Sequence, residues 1–77
     1  MYNNQFNNYN NQFPIINIIE AIQIALNNVY GQVIKAELDR ENGFLIYEVE
    51  IIDPQGRRYE IEIDAYNGNI LDIKSDS

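Results

Sequence analysis

The segment from Leu45 to Leu71 contains two runs of alternating apolar and polar residues, and this pattern constrains the fold more than any other feature. Apolar side chains at every second position are typical of a β-strand that buries one face and exposes the other. The apolar positions are Leu45, Tyr47, Val49 and Ile51 in the first run, and Tyr59, Ile61 and Ile63 in the second. The pattern predicts an antiparallel hairpin with an apolar face that another element must cover and an acidic face that stays open.

One helix is predicted ahead of these strands. Asn17 suits the N-cap position, and Glu20, three residues later, completes the spacing of a capping box. An apolar stripe then recurs at helical spacing, at Ile18, Ala21, Ile22, Ala25, Leu26 and Val29. Gly31 is predicted to end the helix as a C-terminal glycine. Ile24 falls on the polar side of this pattern and is expected to be exposed.

The turn residues predict how the strands pair. Asn42-Gly43 favours a two-residue type I′ loop between a first strand, residues 33–39, and the Leu45 run. This register places Leu38 opposite Tyr47 and Ile34 opposite Ile51.

Parity decides the two later loops, because opposed residues of an antiparallel pair point to the same face. A three-residue loop at Pro54-Gln55-Gly56 pairs Ile51 with Tyr59. A second three-residue loop, ending at Gly68, pairs Ile63 with Leu71 and Ile61 with Ile73. The predicted fold class is therefore α+β, with one N-terminal helix packed on a four-stranded antiparallel meander.

Residues 1–13 differ in composition from the predicted domain at residues 14–77. They contain Asn, Gln and aromatic residues only after Met1, with Tyr2, Phe6, Tyr9 and Phe13 spaced by four, three and four. Two interpretations are open: a disordered polar tail with aromatic side chains, or a segment for docking or self-association.

Composition excludes several function classes. The net charge of −7 disfavours nucleic acid and anionic membranes as partners, and no apolar stretch is long enough for membrane insertion. His, Cys and Thr are absent, so we expect no catalytic residue, cofactor or metal site. The acidic and amide residues near Gly68 do not have the spacing of an EF-hand loop, and Asp64 is expected to bond turn amides instead.

The open sheet face is the candidate surface for a protein partner. Three aliphatic residues are predicted to lie exposed there among four carboxylates, and the full set is Ile46, Glu48, Glu50, Ile52, Glu60, Glu62 and Ile70. A solvated sheet face is the simpler interpretation of the carboxylates, and binding of a basic partner is the alternative. A homodimer packed through the same face is a further alternative, opposed by its four Glu residues at neutral pH.

Two motifs in these strands resemble a known family. They are Tyr47-Glu48-Val49 and the turn Asp64-Ala65-Tyr66-Asn67-Gly68-Asn69-Ile70-Leu71, preceded by the helix motif that begins at Glu20-Ala21-Ile22. Together they resemble the PepSY family, small domains of thermolysin-like peptidase propeptides and of bacterial envelope and spore-associated proteins. The resemblance extends from Ile16 to about Asp72 and does not include residues 1–13.

The resemblance implies a non-catalytic module that regulates or inhibits a peptidase, or that mediates contacts at the bacterial cell envelope. It also implies an extracytoplasmic or envelope location, although the chain opens without a signal-peptide pattern. The alternative function is a structural or assembly protein of the spore or envelope that self-associates through the aromatic tail.

Overall fold

A single helix and four strands follow one another along the chain. The computed structural model describes residues 14–76, so the predictions for residues 1–13 lie outside the described part. The elements are α1 (Ile18–Asn28), β1 (Gln32–Glu41), β2 (Phe44–Ile52), β3 (Arg58–Asp64) and β4 (Ile70–Asp76). The strands form one antiparallel sheet in the order β1-β2-β3-β4, which confirms the predicted α+β meander.

The core lies between α1 and the face of the sheet that α1 covers, which we call the inner face. Ala21 and Ala25 of the helix are fully buried, and their small side chains allow α1 to approach the sheet closely. The sheet contributes Tyr47, Val49, Ile51, Ile61 and Ile63, all 4 % exposed or less. The helix packs on β1, β2 and β3.

The start of α1 is tied to the sheet by specific bonds. The Asn17 side chain accepts a hydrogen bond of 2.8 Å from the Glu20 amide, as an N-cap residue does. Just before it, the Ile16 amide donates to the Ala65 carbonyl at 2.8 Å, and the Tyr47 hydroxyl donates to the Ile16 carbonyl at 2.6 Å. Burial raises the pKa of the Tyr47 hydroxyl.

Gly31 does not end the helix, and that prediction was wrong. The helix ends at Asn28 with Val29 as its C-cap, and Gly31 does not adopt a left-handed conformation. A Cβ atom at Gly31 would lie 2.4 Å from the Ile52 carbonyl oxygen and 2.7 Å from Ile51 Cγ2. Glycine is therefore required here because the chain passes directly against the end of β2.

The helix is also rotated relative to the prediction. Ile24, expected to be exposed, is partly buried and packs against the core, with its Cδ1 next to the Gly68 turn. Ile18 and Leu26, which share the predicted apolar stripe, are 37 % and 39 % exposed. The β3–β4 turn thus contacts a side of α1 that was predicted to be exposed.

The turn at Asn42-Gly43 takes positive φ at both residues, +51° and +85°, as a type I′ turn requires. It sets Leu38 opposite Tyr47, as predicted. Farther along β1 the register shifts by one residue at a β-bulge between Val33 and Lys35. Val33, and not Ile34, is therefore opposite Ile51, and Ile34 is 51 % exposed.

The β2–β3 register agrees with the prediction, with Ile51 opposite Tyr59 and Tyr47 opposite Ile63. At the turn between these strands, Pro54 and Gln55 follow Asp53, whose carboxylate accepts bonds from the Gln55 and Arg57 amides. Gly56 takes a φ of +84° there.

A second bulge alters the start of β4. Ile61 is opposite Ile73 as predicted, but Ile63 is opposite Ile70 and not Leu71. The irregularity adds one residue to β4, so Ile70 packs against the core and Leu71 is 53 % exposed. The prediction that Ile70 lies on the open face was wrong. Gly68, with a φ of +79°, closes the turn by donating its amide to the Asp64 carbonyl at 2.9 Å.

Candidate interaction face

The face of the sheet opposite α1, here called the outer face, carries the predicted partner-binding residues in rows that run across the four strands. Glu37, Glu48, Glu62 and Asp72 stand directly opposite one another on β1, β2, β3 and β4. We call these four carboxylates the acidic row. Like charges directly opposite one another destabilise a sheet, so this row opposes folding.

The next row toward the Pro54 turn contains charges of both signs. Lys35, Glu50, Glu60 and Lys74 are opposed in the same way, and we call them the mixed row. The Glu50 carboxylate lies 3.9 Å from the Lys35 ammonium and 3.8 Å from the Arg58 guanidinium. Within residues 14–76, by contrast, ion pairs reach only the two ends of the acidic row, at Glu37 and Asp72.

Negative charge is therefore concentrated at the end of the outer face nearest the Asn42-Gly43 turn, here called the hairpin end. Beyond the acidic row, Asp39 and Asp64 flank Ile46 on its two sides, and Glu41 is opposite Phe44. The three cations of this face, Lys35, Arg58 and Lys74, belong to the other half of the sheet.

Glu62 shows the effect of this segregation. Desolvation raises the pKa of its carboxyl group, and the neighbouring carboxylates of Glu41, Asp72 and Glu60 raise the pKa further, while Lys74 opposes them. The charged form of Glu62 is thus disfavoured in the folded protein. A cation brought to this end of the face would offset the repulsion from the neighbouring carboxylates.

Ile46, predicted to be exposed, is only 2 % exposed, and that part of the prediction was wrong. It is separate from the core under α1 and forms part of a cavity of about 270 Å³ on the outer face. The cavity is lined by Glu41, Asn42, Phe44, Ile46, Asp64 and Leu71. Phe44 and Leu71 are 64 % and 53 % exposed, so apolar surface is accessible around a buried floor.

Ile52 lies at the opposite end of β2, between Gln32 and Arg58, and is partly buried. It borders a depression of about 560 Å³ between Tyr30, in the segment that joins α1 to β1, and the Pro54 turn. Ile34 also lines this depression. The three aliphatic residues predicted for one patch are therefore divided: Ile46 and Ile52 lie at opposite ends of the outer face, and Ile70 lies on the inner face.

Sequence reasoning missed several members of the outer face. Alternation already predicts that Glu37 and Asp39 lie on this face, but the predicted partner-binding set omits them and Phe44, although the Asn42-Gly43 register sets them beside Ile46 and Glu48. Leu71 had no such signal, since alternation along β4 assigns it to the opposite face and only the bulge reverses it.

Two groups of carboxylates come close enough to be tested as metal ligands. Oxygen atoms of Glu37, Asp39 and Glu48 lie within 4.8 Å of one another, as do those of Glu48, Glu50 and Glu60. Both groups lie on an open sheet face, where neighbouring acidic side chains are common without a bound ion. We assign no metal site to them.

Asp64 has the role expected from its turn. Its carboxylate accepts hydrogen bonds from the Tyr66 amide at 2.7 Å and the Asn67 amide at 3.3 Å. These bonds stabilise the turn that places Leu71 beside Phe44.

Among residues 14–76, no helix is long and apolar enough to cross a membrane.

Comparison with known proteins agrees with this architecture. YkoJ of Bacillus subtilis (strain 168), an uncharacterized protein, is 44 % identical over 52 residues, which are 68 % of this chain and 31 % of YkoJ. The crystal structure of a candidate lipoprotein from Clostridium difficile 630 matches 80 % of this chain and 40 % of its own, with a TM-score of 0.74 and 27 % identity. The chain thus spans less than half the length of either protein.

The family comparison covers nearly all of the described domain. The sequence pattern of PepSY, described as "Peptidase propeptide and YPEB domain", matches residues 15–74. This range includes α1, β1, β2 and β3 and most of β4. Domains of this family are generally non-catalytic. The chain belongs to the PepSY family.

Proposed function

We propose that this chain is a non-catalytic interaction module that binds a protein partner through the outer face of its sheet and thereby regulates or inhibits a peptidase. One observation carries the proposal. No element of residues 14–76 covers the outer face, and this face combines the acidic row with an accessible apolar cavity. Retaining a row of opposed carboxylates costs stability, which a binding role accounts for.

The family supports a peptidase as the partner, since PepSY domains are peptidase-propeptide-like. The candidate lipoprotein among the structural neighbours supports an extracytoplasmic or envelope location for the complex. A less specific version of the same proposal is that the chain binds a protein at the cell envelope without affecting any peptidase.

The test measures hydrolysis by thermolysin-like metallopeptidases in the presence of micromolar full-length chain. Slower hydrolysis, lost when Glu48 is changed to Lys, is the expected result. Unchanged hydrolysis, together with recovery of no protease from a bacterial secretome on the immobilised chain, would refute the regulatory role.

Assembly through residues 1–13 is the competing function. At neutral pH a second copy would bring its own acidic row against this one, so dimers packed through the outer face are disfavoured unless pH falls toward 4 or salt is added. Sedimentation of the intact chain and of a variant lacking residues 1–13 distinguishes assembly through residues 1–13 from the interaction module proposed above. Oligomers that disappear on deletion while the domain stays folded would favour assembly.

A further inference from the structure

The cavity at the hairpin end is at the lower limit of the size of small-molecule pockets. Its volume of about 270 Å³ lies just below the roughly 300–1,000 Å³ of typical ligand pockets. It is also open to solvent along two exposed apolar side chains, Phe44 and Leu71. These dimensions suit one large apolar side chain presented by another polypeptide.

The cavity is a feature that the fold builds. The type I′ turn sets Phe44 opposite Glu41 at the end of the hairpin, and the bulge in β4 turns Leu71 toward the same place. Ile46 is 2 % exposed beneath the cavity, so an entering side chain would make its apolar contacts mainly with the exposed side chains of Phe44 and Leu71.

The charge around the cavity identifies the chemistry of the partner. Glu41 and Asp64 line the cavity, Asp39 is opposite Ile46, and the acidic row crosses β2 two residues farther along, at Glu48. The pKa of Glu62 is raised mainly by desolvation and in part by the nearby carboxylates of Glu41 and Asp72, which agrees with a concentration of negative charge here. Nucleic acid, an anionic membrane and a second copy of this chain are all disfavoured by the same charge.

We infer that the hairpin end of the outer face is a docking site for a cationic polypeptide segment, which inserts one large apolar or aromatic side chain between Phe44 and Leu71. Lys or Arg residues on either side of that anchor pair with the carboxylates of the acidic row and of the cavity rim. The inference rests on the proposed function and names the chemistry of the partner at that same face.

The experiment uses the full chain and three synthetic peptides. The first reads Lys-Ser-Lys-Phe-Lys-Ser-Lys, the second has Ala in place of Phe, and the third has Glu in place of every Lys. Fluorescence anisotropy gives the affinities, and amide chemical shifts locate the contact. We expect the first peptide to bind at least about tenfold more tightly than the second, because only the first buries a ring. The third should not bind.

Two variants test the location. Leu71→Ser removes one exposed wall of the cavity and should weaken binding of the Phe peptide to the level of the Ala peptide. Ile34→Ser is the matched control, because Ile34 is exposed to a similar extent at the far end of the sheet, and it should leave the affinity unchanged. Thermal unfolding of both variants confirms that each is folded.

Equal affinities for the Phe and Ala peptides, or no effect of Leu71→Ser, would overturn the inference. Failure of the docking site can be distinguished from failure of the proposed function. Peptide binding at this cavity without any effect on peptidases would refute only the regulatory role. Peptidase inhibition that is insensitive to Leu71→Ser would refute only the docking site.

Discussion

Replacing Glu62 by Gln should stabilise the protein at neutral pH, because it removes a charge that desolvation and nearby carboxylates disfavour. Glu62 is opposite Glu48 on one side and Asp72 on the other. Each directly opposed like-charge pair costs about 0.2–1 kcal/mol. Because Lys74 offsets part of that repulsion, we expect the free energy of unfolding to rise by about 0.5–1 kcal/mol. For a domain of this size the melting temperature should then rise by about 2–8 °C.

The pH dependence of this effect has a definite sign. The pKa of Glu62 is raised in the folded state, so the folded protein holds its proton more tightly than the unfolded chain does. The destabilisation is absent below the unfolded pKa of Glu and develops as pH rises through the higher, folded pKa. The stability difference between Glu62→Gln and the parent chain should therefore be full at pH 7 and vanish as pH falls to about 4.

Thermal denaturation at low salt, at pH 7 and pH 4, measures both effects. Glu50→Gln is the matched control, because Glu50 lies in the mixed row between Lys35 and Arg58. This control should leave the melting temperature unchanged or lower it. If Glu62→Gln lowers the melting temperature at pH 7, or if the two variants shift it equally, the charge segregation described here does not govern stability.

Three further substitutions test the fold. Gly31→Ala should destabilise by about 2–3 kcal/mol, because its Cβ would overlap the Ile52 carbonyl, and an unchanged midpoint of chemical denaturation would contradict that close approach. Tyr47→Phe should cost about 1 kcal/mol in urea unfolding by deleting its 2.6 Å hydrogen bond, and an unchanged midpoint would contradict that contribution. Asn17→Ala should lower the free energy of unfolding by about 1 kcal/mol, measured by the circular dichroism of the helix during thermal unfolding, whereas Asn17→Asp should retain the cap.

The sequence alone determined the sheet and most of its pairing. Alternation identifies which residues share a face, and the requirement that core residues oppose one another selects the loop length at Pro54-Gln55-Gly56. Asn42-Gly43 likewise determines the β1–β2 register near the turn, because few residue pairs tolerate positive φ at both positions. The acidic character of the outer face follows from the same alternation.

Only the tertiary structure decided where this alternation breaks. Parity cannot detect a single inserted residue, so the bulges next to Ile34 and Ile70 are defined only by the pairing of each strand with its neighbour. Burial likewise depends on groups from several strands: the buried Ile46 shares its cavity with Phe44 of the same strand and with Asp64 and Leu71 of the two following strands. Gly31 is required by the approach of Ile52, which is distant in sequence. A local pattern thus specifies strands and turns, while contacts between distant residues create the cavity that we propose as the docking site.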